Sequence, residues 1–230
     1  MSNFEQIGNP DPFLKVTLNK NETVFSESGS IVMCSDGVSF TGKAKGGVVS
    51  SLLRKVTTGE SFFQIKINSQ INGGEVLLSP ACPGGIEIID LKENGYMVSD
   101  GSFLACEESI NLNTKIQKLS GALFGKSGGL FVLHCSGLGK VAVSGLGGLH
   151  AINLKDEKKT IDNGHVVAWE DSLDYKIGLP EGGGLIKKAV GAATTGEGIV
   201  LNFSGTGRVI VSSRNRSSFF DWIGSRLPSK

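Results

Sequence analysis

Side chains able to act as nucleophiles, bases or metal ligands are few in this sequence, and they are scattered. Cys34, Cys82, Cys106 and Cys135 form no Cys-x-x-Cys pair, and His134, His150 and His165 occur singly. Zinc and related metals need such ligands at short, fixed spacings. No metal, cofactor or catalytic set is therefore expected, and the histidines read as edge or core residues. Cys135 does adjoin His134, but neighbours on a strand point to opposite faces, which separates thiol from imidazole. The same geometry argues against acid/base work by Glu107-Glu108 or Glu170-Asp171, which read as solvated strand ends. No Gly-x-Ser-x-Gly elbow is present.

Two glycine motifs invite a nucleotide reading and fail it. Ser120-Gly-Ala-Leu-Phe-Gly-Lys-Ser127 lacks the first glycine of a phosphate loop and runs into the strand-like Leu130-Phe-Val-Leu133. A phosphate loop instead opens a helix, whose amides face the phosphate. Gly137-Leu-Gly139-Lys-Val-Ala142 matches a relaxed dinucleotide fingerprint but also leads into a strand. Its mate Ser204-Gly-Thr-Gly207-Arg208 repeats the phase, so both read as hairpin turns. The segment Leu53-Arg54-Lys55 to Gly59-Glu60 carries the most charge beside a recurring glycine. Arg54 and Glu60 are an ion pair across a long connection or a ligand or partner contact. Arg208 and Trp222 join them as candidate contact residues.

The elements that must position these residues are short strands. In Phe62 to Asn68, Phe63, Ile65 and Ile67 alternate with polar residues, the two-residue period of a strand with one wet face. Turn chemistry separates such runs at Asn72-Gly-Gly74, Pro83-Gly-Gly85 and Asn94-Gly95. Glycine supplies 33 of 230 residues, about twice the usual share, with no collagen period. The fold class is all-β.

The strands recur in sets. Glu27-Ser-Gly-Ser-Ile-Val-Met-Cys34 aligns with Ser99-Asp-Gly-Ser-Phe-Leu-Ala-Cys106 and with Asp162-Asn-Gly-His-Val-Val-Ala-Trp169. The central glycines 29, 101 and 164 are 72 and 63 residues apart. A second set, Gly74, Gly139 and Gly207, is each time followed by a charged residue and valine. Three β units of about 70 residues, packed around a pseudo-threefold axis to cover each other's edges, are the expectation. Residues 1–216 form one domain of three repeats (about 13–98, 99–160 and 161–214), followed by a helix and tail over 217–230. No single unit has the area to fold alone.

Net charge is +1, which does not suit a protein whose main partner is a nucleic-acid backbone. No apolar run reaches the ~18 residues of a membrane span, and Met1 to Phe13 has neither signal nor transit character. The expectation is a cytoplasmic protein with reduced thiols.

The ordered set of motifs resembles the altered-inheritance-of-mitochondria proteins and their bacterial relatives. It comprises Glu27-Ser-Gly-Ser, Gly46-Gly47 with Arg54, Gly59-Glu60-Ser-Phe-Phe and Ala81-Cys-Pro-Gly84-Gly-Ile. Gly101-Ser-Phe-Leu-Ala105, Gly137-Leu-Gly139, Ile161-Asp-Asn-Gly-His-Val-Val-Ala168 and Ser212-Ser-Arg214 continue it. The resemblance implies three TRAP-like units, similar to the trp RNA-binding attenuation protein, fused in one chain. It implies no activity and no catalytic residues. The leading expectation is a non-enzymatic scaffold or binding protein with an unknown protein partner or small ligand, and a homo-oligomer is one form it would take. The alternatives are a small-ligand or RNA binder using TRAP-like sheet edges, and an enzyme. An RNA face would draw on Lys43, Lys45, Arg54, Lys55, Lys187, Lys188, Arg208, Arg214 and Arg216.

The tail, Ser217-Ser-Phe-Phe-Asp-Trp-Ile-Gly-Ser-Arg-Leu227, is the one stretch with helical spacing. Ser218 and Asp221 fit a capping box, and Phe219, Trp222 and Ile223 fit an apolar stripe. So short a helix must dock, over its own β core or against another subunit.

Overall fold

A computed structural model describes residues 2–42, 64–117, 130–178 and 199–227 of the chain. Seventeen strands are described there: β1 (Asn3–Ile7), β2 (Phe13–Leu18), β3 (Thr23–Glu27), β4 (Ile31–Cys34), β5 (Val38–Thr41), β6 (Gln64–Ser69), β7 (Gly74–Leu78), β8 (Ile86–Leu91), β9 (Tyr96–Ser99), β10 (Phe103–Glu107), β11 (Asn111–Gln117), β12 (Leu130–Ser136), β13 (Gly139–Ser144), β14 (Leu149–Asp162), β15 (Val166–Glu170), β16 (Asp174–Gly178) and β17 (Val200–Ser212). One helix, α1 (Arg216–Gly224), follows. The alternation read from the sequence makes these strands. Leu14, Val16 and Leu18 of β2 and Val76 and Leu78 of β7 are fully buried, while the residues between them are not. Each such side chain contributes about 1.5–3 kcal/mol by leaving water.

The strands build three antiparallel sheets, in the orders β1-β2-β7-β4, β5-β6-β3-β10-β13-β8 and β11-β12-β9-β15-β17-β14, with β16 also on β17. One pairing order recurs along the chain. Over β2–β7, the sixth strand lies between the first and third, and the fifth between the second and fourth. Strands β8–β13 repeat it. In β14–β17 the first two strands have merged into β14 and the last two into β17, and the order persists in their halves. The second strand of one set pairs the third strand of the next: β3 with β10 and β9 with β15. The registers Ser26↔Ala105 and Val98↔Ala168 carry the sequence steps of 72 and 63.

Pairing puts the joins between sets at residues 79–85 and 145–148, whereas the sequence phase puts them at 98/99 and 160/161. Self-comparison yields a period but no origin, so the phase is free until pairing is seen. The glycine pairs are corrected in a similar way. Gly137 and Gly139 do not close a hairpin, because β12 and β13 lie in different sheets and pair other strands. They turn a corner between sheets, at φ +115 and +143. A Cβ on Gly139 would fall 2.6 Å from Glu107 Oε2. Gly205 and Gly207 make no turn either; they lie inside the continuous β17, opposite a register shift between Leu154 and Glu157.

Three apolar clusters fill the interior. One gathers β2, β3, β6 and β7 with Leu104, Ala105 and Ala142 of the middle set. The middle cluster reaches Val167, Ala168 and Ile210. The third centres on Trp169, packed edge-on against Tyr175 at 5.1 Å and Phe203 at 5.6 Å, and takes in Met97 and Val132. Every cluster therefore crosses from one set into another.

Candidate functional site

Two of the glycine turns recurring in the sequence, at Gly101 and Gly164, converge with Glu27 on one cavity of about 490 Å³. Glu27 at the end of β3, the turn Ser99 to Ser102 after β9, and Asn163-Gly164 after β14 supply one wall each. Ser144 to Leu146, Ser212 and the Ala81-Cys82 segment line the sides, and Arg216, Ser217, Phe220 and Asp221 of α1 cover it. Gly84 is held against the Gly145–Gly147 backbone: its added Cβ would lie 2.1 Å from the Gly145 carbonyl oxygen. The Ala81-Cys-Pro-Gly84 motif is thereby fixed at the cavity wall.

A chain of polar contacts seats the helix. Gly164 N–H donates to Asp162 Oδ1 at 3.1 Å, and Asn215 Nδ2 donates to Asp162 Oδ2 at 2.9 Å. Asn215 Oδ1 accepts from Ser218 N at 3.1 Å and caps the helix. Two glycines make room for this arrangement. A Cβ on Gly164 would strike the Asn215 amide at 2.0 Å, and one on Gly101 the Arg216 guanidinium at 1.9 Å. Arg216 thus lies over the Gly101 turn. Burial pushes the Glu27 carboxyl above its usual value, with Arg216 opposing the shift and Asp100 adding to it. The lining combines acidic groups, a guanidinium, several hydroxyls and the Phe220 ring, a surface suited to a small polar ligand.

The helix departs from expectation in two respects. It begins at Arg216, one residue before the boundary at 217, and its cap is Asn215, not Ser218. Asn215 wins because its side chain is already fixed by Asp162. None of the helical residues is buried, so the expected docking of the Phe219, Trp222 and Ile223 stripe is not seen among the described residues. Trp222 is 54% exposed, stacks near Phe219 at 6.3 Å, and carries the Arg226 guanidinium 4.2 Å over its ring. Only Phe220 of these aromatics reaches the cavity.

The other flagged residues lie apart from it. Arg208 pairs with Glu87 of β8 and hydrogen-bonds Tyr96, which ties the second set to the third. Arg54, Glu60 and the 120–127 segment fall outside the described residues. So do Lys43, Lys45, Lys55, Lys187 and Lys188 of the basic set. His134 Nε2 lies 2.8 Å from Asp171 Oδ2, and His165 Nδ1 lies 2.8 Å from the Ser212 carbonyl oxygen. Among the described residues, no three metal-ligating side chains cluster. Burial raises the Cys135 thiol to about 12 and Cys106 well above the usual range, so both stay protonated.

Of the paired carboxylates, Glu108 and Asp171 are exposed as expected, but Glu107 and Glu170 are not free strand ends. Glu107 is 7% exposed and accepts from Ser2 Oγ at 2.6 Å and Lys140 N at 2.8 Å. Glu170 accepts from the Tyr96 hydroxyl at 3.0 Å. Sequence reasoning had no signal for Ser2 as a partner 105 positions away, and it missed Glu27, Cys82 and Asp100 as cavity residues. The signal for Glu27 and Asp100 was present, since each belongs to one of the recurring Glu/Ser-x-Gly-Ser motifs and both line the cavity.

A family model described as "Mitochondrial biogenesis AIM24" matches residues 4–214. An uncharacterised protein of Streptococcus pyogenes serotype M6 is 34% identical over 224 residues, covering 95% of this chain and 88% of that protein. The crystal structure of a Streptococcus pyogenes protein is similar at a TM-score of 0.81 and 31% identity, covering 99% of this chain and all of the other. No described helix is long and apolar enough to cross a membrane.

Proposed function

The chain belongs to the AIM24 mitochondrial-biogenesis family, and we propose that it is a non-enzymatic binding protein that holds a small polar ligand where its Gly101 and Gly164 turns meet Glu27. The observation that carries this reading is the shared cavity, to which the second and third β sets contribute a glycine turn each, the first set Glu27, and α1 the cover. Ligand sites commonly form at junctions between packed units, in cavities of this size. The placement of reactive groups supports binding over catalysis. Cys106 and Cys135 are buried thiols, and His134 is occupied by Asp171.

The RNA reading depends on free basic groups along TRAP-like sheet edges. Arg208, one of its candidates, is engaged by Glu87 and Tyr96, which favours the small-ligand reading.

The test is a thermal-shift screen of sugars, amino acids, nucleotides and carboxylates against the full chain and Ser217→Trp. Ser217 is exposed on α1 and lines the cavity mouth, so the indole obstructs the cavity without entering the core. The expected result is a stabilising compound whose effect Ser217→Trp abolishes at unchanged intrinsic melting temperature. A screen without a hit, hits indifferent to Ser217→Trp, or turnover of any compound abolished by Glu27→Gln or Cys82→Ser would sink the proposal.

A further inference from the structure

The chain carries two strand edges that its internal pairing rule leaves over. Inside the molecule, the second strand of a set pairs the third strand of the next, twice and with the same register. The rule leaves the third strand of the first set, β4, and the second strand of the last, the 157–162 half of β14. Among the described residues, β4 pairs only β7, and residues 157–162 pair only β17.

The two edges are finished differently. All five residues of β10 and four of the five of β15 are buried, whereas β4, in the equivalent place, has none buried. Val32 is 53% exposed and Met33 43%; their counterparts Leu104 and Ala105 are fully buried. Strand β4 reads Ile-Val-Met-Cys and carries no charge. The other edge reads Glu157-Lys-Lys-Thr160, exposed throughout, with Lys159 paired to Glu157 at 2.9 Å. By the repeat steps Lys159 stands where Val24 and Tyr96 are buried. Bringing β4 of the same chain or of a second chain onto this edge would bury that ammonium, which is costly. Charged edges of this kind keep sheets from growing.

We propose that β4 is the contact between two copies of this chain, edge to edge and antiparallel about a twofold axis. Self-pairing sets an uncharged apolar edge against its own copy, which the lysine-bearing edge cannot match. It joins two four-stranded sheets into one of eight, in the order β1-β2-β7-β4-β4-β7-β2-β1. The lysine-bearing edges stay on the outside, so association closes at two.

Analytical ultracentrifugation of the full chain over about 1–100 µM tests this, with Val32→Lys, Met33→Lys and Lys158→Ala alongside. The expected result is a dimer that Val32→Lys and Met33→Lys each weaken by at least roughly 100-fold, while Lys158→Ala leaves it intact. Both β4 side chains are already exposed, so unchanged melting of the monomeric variants separates loss of contact from loss of fold. With Cys82→Ser as background, a bismaleimide should link two chains through Cys34. A monomer throughout the range, a dimer indifferent to lysine in β4, a dimer lost in Lys158→Ala, or oligomers beyond the dimer would each overturn the proposal. So would a wild-type chain that stays monomeric and binds a foreign strand at β4.

Discussion

The second and third β sets solve one problem in two ways. Both must carry the chain from one pair of strand partners to another between their fifth and sixth strands. The second set breaks the strand: β12 ends, Gly137 and Gly139 turn through left-handed φ, and β13 begins against other partners. The third set keeps one strand, β17, running through Gly205 and Gly207, and takes up the change with a register shift in β14. A glycine at a matching repeat position is therefore indispensable in one place and tolerant in another. What decides is whether a Cβ meets fixed atoms or movable ones.

Matched substitutions break this comparison most directly. Gly139→Ala forces an L-residue to φ +143 and sets its Cβ 2.6 Å from Oε2 of Glu107, whose carboxylate accepts from Ser2 through Oε1 and from Lys140 N–H through Oε2. We expect a loss of about 3 kcal/mol by urea unfolding. Gly207→Ala meets the Leu173 side chain at 2.8 Å, with no left-handed φ, and should cost about 1 kcal/mol. Equal losses at the two positions would refute the distinction.

The carboxylates that end β10 and β15 are the next pair. Glu107→Ala leaves the Lys140 N–H and the Ser2 hydroxyl without their acceptor and should lower stability by about 2 kcal/mol. Glu170→Ala should lower it by about half as much, because it removes one short hydrogen bond, from the Tyr96 hydroxyl, where Glu107→Ala removes two. Thermal melts at neutral pH rank the two variants, and a larger loss for Glu170→Ala would reverse the assignment.

The smallest effect is a pH dependence. Burial, then Glu170, pushes Tyr96 from 10 up to about 12. A phenol raised in the folded state keeps its stability below pH 10, where neither state ionises. It loses that stability as pH climbs towards 12, because the unfolded chain releases the proton first. The ring is buried in the middle cluster, and the loss is on the order of 1 kcal/mol. Tyr96→Phe should flatten the stability curve between pH 10 and 12; a curve parallel to that of the parent protein would exclude Tyr96 as its source.

The sequence showed the β class, the alternation of β2 and β7, and the spacing that reappears as the registers of β3–β10 and β9–β15. These features depend on local side-chain periods and on repetition, both visible in one dimension. Phase, corners and caps were not legible. Whether Gly137 and Gly139 close a hairpin or turn between sheets depends on which strands pair, a long-range property. The burial of Glu107 depends on Ser2, and the cap at Asn215 on Asp162. The cavity was half legible, since the recurring Gly turns were marked but their meeting point was not.

Pairing between successive sets also imposes an order on synthesis. Strand β9 obtains β15 only when residue 168 has followed residue 98, seventy positions later. At ~5–20 residues per second, that is roughly 4–14 s in which Met97 and Val98 lie on an open edge of the nascent chain. A chaperone that recognises extended apolar segments would find its interval there, and a slow codon run between the two strands would lengthen it.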